Sequence, residues 1–163
     1  MEAMSIAKSI AALLTHPSLP EDLLSCYEER RFQIWIAERI EEWSSQQNGN
    51  FIIKVEARGG GVESVRALGT TFWPDITIGS EQAPKALAVE VKCLSRSGLP
   101  NSFVTSIGQA TMYRELYDEC LVTLFVLGAL DVEVPSTVLS RLSAQGIQVC
   151  LIPVSTTEGN SIG

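Results

Sequence analysis

The chain has a single histidine, His16, set between Thr15 and Pro17 in a loop that also holds Pro20. A serine triad would need that imidazole beside a nucleophile elbow, and no Gly-x-Ser-x-Gly occurs. Histidine-based hydrolase and nuclease mechanisms are therefore not expected. Basic charge is also scarce: 12 Lys and Arg stand against 19 Asp and Glu, a net charge of -7. That excludes a broad basic surface for gripping nucleic acid, although not a local groove. The four cysteines, Cys26, Cys93, Cys120 and Cys150, form no CxxC pair, so metal-finger spacing is absent. They read as reduced, mostly buried thiols of a cytoplasmic protein. No apolar run approaches the roughly 18 residues of a membrane span, so no membrane is expected as a partner. The apolar stretch Ile10-Ala11-Ala12-Leu13-Leu14 follows an acid, Glu2, and no clear cleavage site comes after it, so a signal peptide is not expected. The triple glycine at 59–61 is not followed by Gly-Lys-Ser/Thr and is no phosphate loop.

What is present reads as one α/β domain over residues 1–163. Residues 1–20 form a helical N-terminal extension and 155–163 a polar tail expected to be flexible. Residues 5–14 read as a short helix, broken by the two prolines of 15–20. Glu21 and Asp22 then open one long helix to about residue 45, acids in its first turn favouring the helix dipole. Asn48-Gly49-Asn50 stops it. Strands are expected over 51–57, 71–78 and 86–92, the last a nearly continuous apolar run suited to a sheet centre. A polar connection joins the first two. A helix over about 102–117, a buried strand over 120–127, a helix opening at Pro135 and a strand over 147–154 complete the order.

Two of these strands carry the chemistry. Phe72-Trp73-Pro74-Asp75-Ile76-Thr77-Ile78 delivers one acid, and Leu87-Ala88-Val89-Glu90-Val91-Lys92 delivers a second acid and a lysine. Alternate strand residues share a face, so Glu90 and Lys92 point the same way. Charged groups in a buried strand are costly without a purpose. The set has the makings of a divalent-metal site with a lysine to orient water.

Pro74-Asp75 followed by Glu90-Val91-Lys92 resembles the signature of the PD-(D/E)xK nuclease superfamily, the fold of many restriction enzymes and junction resolvases. The likeness covers roughly residues 22–127, whose element order matches the αβββαβ core of that superfamily. It implies a restriction-endonuclease-like α/β fold with a mixed central sheet flanked by helices, extended here by a C-terminal helix and strand. It also implies a metal-dependent phosphodiester hydrolase acting on DNA, with Mg2+ or Mn2+ as cofactor. Asp75 and Glu90 would be metal ligands, the Val91 carbonyl would complete the shell, and Lys92 would position water. A glutamate from the first core helix often joins such sites. Glu38 is the choice here, with Glu28, Glu29, Glu41 and Glu42 as competitors. Gly108-Gln109-Ala110-x-x-Tyr113 resembles the helix that follows the catalytic strand in resolvase-like members. Gln109 would hold a water or a phosphate, and Gly108 would permit close approach. Arg58, Arg66, Arg96 and Tyr113 are the candidates for contacting nucleic acid. RNA shares the metal chemistry and stays open as a substrate. A homodimer, or a subunit role in a larger complex, is expected because cutting both strands needs two sites. The alternative is a catalytically weak or inactive module on the same fold that binds nucleic acid or a protein partner.

Overall fold

The computed structural model describes residues 5–15, 17–25, 28–128 and 130–154. His16, Cys26 and the tail 155–163 lie outside the described residues, and so do the expectations attached to them. The helices are α1 (Ile6–Leu14), α2 (Glu21–Ser25), α3 (Glu29–Ser45), α4 (Leu99–Tyr113) and α5 (Ser136–Ala144). The strands are β1 (Ile52–Val55), β2 (Val65–Ala67), β3 (Thr70–Phe72), β4 (Ile76–Gly79), β5 (Leu87–Leu94), β6 (Glu119–Leu127) and β7 (Ile147–Val154). No described helix is long and apolar enough to cross a membrane.

A mixed five-stranded sheet runs in the order β1-β4-β5-β6-β7. The pairs β1–β4 and β4–β5 are antiparallel, whereas β5–β6 and β6–β7 are parallel. Helices cover both faces. Ile10 and Leu14 of α1 and Phe32, Ile36 and Ile40 of α3 pack with Ile76, Val89 and Phe125 on one face. Ala110 and Tyr113 of α4 and Leu142 of α5 pack with Ala88, Val122 and Ile147 on the other. Coverage on both sides is why β5 and β6 read as continuous apolar runs in sequence. The Glu119 carboxylate accepts the Ala7 N–H at 2.9 Å, docking the positive end of α1 against the start of β6.

Several elements depart from the expectation, and the strand over 51–57 ends at Val55 before a 3-10 helix over Glu56–Arg58. The long helix over 21–45 is divided into α2 and α3, with Glu28 extended between them (φ -81°, ψ 117°). The stripe that α3 buries, Phe32, Ile36 and Ile40, repeats at helical spacing and fixes its axis against the sheet. Of the short α2, Leu23 is buried. The expected strand over 71–78 is also divided. β3 pairs with β2 in a separate hairpin, and β4 joins the main sheet. Pro74, which has no N–H to give a ladder, marks the joint. The connection before it, expected to be polar loop, holds β2, whose Val65 is buried.

Two glycines test the packing. A Cβ on Gly79 would lie 2.2 Å from the Pro84 carbonyl oxygen, inside the turn that links β4 and β5. One on Gly108 of α4 would meet nothing within 4 Å. The expected close approach at Gly108 is therefore not made by this chain's own sheet. Gly79→Ala should destabilise by about 1–3 kcal/mol through forced backbone movement. Gly108→Ala should stabilise by about 0.5–1 kcal/mol through helix entropy. Urea unfolding midpoints read both, and equal shifts in the two variants would contradict the packing.

Candidate metal centre

The functional side chains meet where β4 stops and β5 continues. The β4–β5 ladder begins at Ile76 opposite Val89, so β5 beyond Val89 lacks β4 as a neighbour. Asp75 occupies the gap. Its backbone N–H donates to the Val89 carbonyl at 3.0 Å, and its carboxylate Oδ2 accepts the Val91 N–H at 2.7 Å. The side chain thus satisfies a backbone donor that a longer β4 would have paired. The Val91 carbonyl leaves β5 on the same edge as its N–H, toward the same gap. Gln33 of α3 donates to Asp75 Oδ1 at 2.7 Å. Each carboxylate oxygen keeps a further lone pair.

Glu90 is 2% exposed. Its Oε2 accepts the Tyr113 phenol at 2.9 Å, and Lys92 Nζ lies 3.6 Å from its Oε1. Lys92 also donates to Glu29 Oε1 at 2.9 Å. The Tyr113 hydroxyl lies 2.9 Å from the Trp73 carbonyl as well. Buried Thr123 of β6 donates to the Glu90 carbonyl at 3.3 Å and fixes the strand beneath the site.

The electrostatics follow from burial. Desolvation, then the neighbouring Glu90 charge, pushes Asp75 from 3.8 up to about 8. Desolvation likewise raises Glu90, against the opposing pull of Lys92 and the Tyr113 hydrogen bond. Burial pulls Lys92 down, but Glu29, Glu90 and Asp75 together outweigh it and hold the ammonium above its usual range. Lys92 is therefore a fixed cation near neutral pH and not a general base. Burial also raises Tyr113, with Glu90 second, so its phenol stays protonated and donates. The thiols Cys93, Cys120 and Cys150 are free. Burial raises Cys93 and Cys120 to about 12 and Cys150 to about 11, so they are protonated thiols near neutral pH.

Asp75, Glu90, the Val91 carbonyl edge and Lys92 come together, and the other candidates fall variously. Glu38 does not join them. It is exposed and lines a separate cleft with Pro20, Arg31 and Trp35. The α3 glutamate that reaches the group is Glu29, one of the competitors. Tyr113 is not free to touch nucleic acid, being fully buried with its hydroxyl committed to Glu90 and Trp73. Arg58 is paired with Glu41 at 2.5 Å on the surface. Arg66 on β2 and Arg96 beyond β5 are exposed. Gln33 was missed. Its signal was spacing: Glu29, Gln33, Ile36 and Ile40 form one stripe of α3, from which Glu38 is absent.

Among the described residues no three His, Cys, Asp or Glu side chains group as metal ligands. Two carboxylates and a carbonyl suit a hard cation that keeps several waters, the habit of magnesium. One observation favours the fit. Gln109 Oε1 is buried with no hydrogen-bond partner, one helical turn before Tyr113. An orphaned acceptor there calls for a donor such as an ordered water. Comparison with family profiles, with curated proteins and with solved structures returns no match.

Proposed function

We propose that the chain is a magnesium- or manganese-dependent nuclease of the PD-(D/E)xK type, acting on DNA through a restriction-endonuclease-like core. The observation that carries the reading is the pair of carboxylates, Asp75 and Glu90, set where β5 runs past the end of β4, with an ammonium 3.6 Å from Glu90. Asp75, Glu90 and the Val91 carbonyl would hold the cation. When bound, it would draw charge from a phosphate oxygen and activate water. Burial raises Asp75 to about 8, and a bound cation would favour its ionised form. Lys92, fixed by Glu29, orients water and stabilises charge developing on phosphate. Gln109 Oε1 supplies the acceptor that such a water requires.

A DNA cleavage assay with magnesium or manganese tests this. Asp75→Ala and Lys92→Ala should each lower the rate by about 100-fold or more. Full activity in both variants would sink the mechanism. A second reading, a nuclease-fold module with little catalysis, draws on the net charge of -7 and the Arg58–Glu41 pairing, which ties up a candidate phosphate contact. It requires that the wild type take up no magnesium in a calorimetric titration at millimolar concentration.

A further inference from the structure

Trp73 is the unusual residue at the rim of this site. Of the three tryptophans, Trp35 is buried, and Trp43 packs against Phe51 with ring centroids 5.1 Å apart. Trp73 is 54% exposed. It is the open indole of the chain, and an indole face offers an apolar surface with a polar N–H at its edge. Its backbone, by contrast, is held firmly. The Trp73 carbonyl accepts the Tyr113 phenol, Pro74 is buried, and the next N–H is bonded to Val89. An indole is thus displayed from a pinned segment two residues from Asp75, and the tyrosine that pins it also holds Glu90.

We propose that Trp73 is a stacking platform for an unpaired base, so that the site takes a nucleic-acid strand that is single-stranded where it is cut. This rests on the nuclease reading of the Asp75–Glu90 site. Two physical facts favour an unpaired strand over an intact duplex. A net charge of -7 leaves little counterion release to draw on, and duplex binding depends chiefly on that term. Stacking is indifferent to charge and needs a base whose face is open. Inside a duplex both faces of a base are covered by its neighbours, so an indole engages one only at an end, a flap, a gap or a single strand. The class of substrate is therefore a strand with unpaired bases, DNA or RNA.

The test uses the full chain with calcium in place of magnesium, to suppress cleavage. Wild type, Trp73→Phe and Trp73→Ala are titrated with a single-stranded DNA oligonucleotide, the matching RNA and a blunt DNA duplex. Tryptophan fluorescence reports occupancy, because Trp73 is the exposed indole while Trp35 is buried and Trp43 half-buried against Phe51, and anisotropy of a labelled strand gives Kd. Wild type should bind at least one single strand more tightly than the duplex, with quenching of fluorescence. Trp73→Ala should weaken that binding about 10-fold or more, while Trp73→Phe stays within about 3-fold. The DNA and RNA arms tell which strand is preferred. Equal single-strand affinity in wild type and Trp73→Ala overturns the proposal, as does a preference for the duplex. Loss of stacking with magnesium-dependent cleavage intact on duplex also overturns it. Binding that depends on Trp73 in a protein with no cleavage activity would defeat the nuclease reading and leave the platform standing. No binding to any of the three defeats both.

Discussion

Glu90→Gln should reduce magnesium-dependent cleavage by about 1000-fold and, in the same protein kept in chelator at pH 8, raise its stability by about 1–2 kcal/mol. The two effects have one cause. Glu90 is 2% exposed, and burial disfavours its charged form. An amide at this position carries no charge to desolvate, and it fits the existing bonds. Its NH2 can donate to the Tyr113 oxygen, leaving the phenol proton for the Trp73 carbonyl, while its oxygen faces Lys92. The Tyr113 and Lys92 groups both keep a partner. The neutral amide is a poor ligand for a hard cation, so metal uptake and cleavage are lost. Urea unfolding in chelator beside a cleavage assay reads both halves. A destabilised, inactive variant would indicate that Glu90 is held as a structural charge paired with Lys92, and would count against a built metal site.

Metal-free protein should lose stability as pH rises from about 4 to about 8. Asp75 is raised from 3.8 to about 8 in the folded chain. Below pH 4 it is protonated both folded and unfolded, and the site costs nothing. Between pH 4 and 8 the unfolded chain gives up that proton while the folded chain keeps it, so folding becomes less favourable until the folded group also ionises. About four pH units at about 1.4 kcal/mol each set a ceiling near 6 kcal/mol. Water reaching the half-buried carboxyl reduces this to about 2–4 kcal/mol. Glu90, raised by the same burial, adds in the same direction. Lys92 acts elsewhere: raised above its usual range, it contributes stability that is lost only in strongly alkaline solution. Magnesium should oppose the loss, because it binds the deprotonated carboxylates, and its stabilising increment should grow from pH 6 to pH 8. Thermal unfolding across this range, in chelator and in magnesium, measures it. Stability that rises with pH in chelator would contradict the burial of the acid pair.

Particular residues explain what the sequence disclosed. β5 and β6 were legible because a strand covered on both faces is apolar without interruption, and Glu90 and Lys92 stood out as charges within such a run. Asp75 was legible through Pro74, but its setting was not. Phe72 and Ile76 read as one strand, and only pairing partners reveal that they belong to different sheets. The division at Glu28 was hidden for a similar reason. Helix propensity continues across it, with no proline or glycine to mark the extended Glu28. Helical spacing within α3 decides which glutamate reaches Lys92. At the start of a separate α3, Glu29 meets the end of β5, whereas Glu38 turns outward. Tyr113 likewise read as a nucleic-acid contact because the sequence does not show the Trp73 carbonyl and Glu90 carboxylate closing over its hydroxyl.

A phenol carries a single proton. Tyr113 lies 2.9 Å from both the Glu90 carboxylate and the Trp73 carbonyl, so one hydrogen is shared between two acceptors. Any change in the charge on Glu90 alters how strongly it competes for that hydrogen, and the difference is felt at the peptide that carries the exposed indole. The acid at the floor and the peptide at the rim are thus tied to one tyrosine oxygen, and neither can move without changing the hydrogen bond of the other.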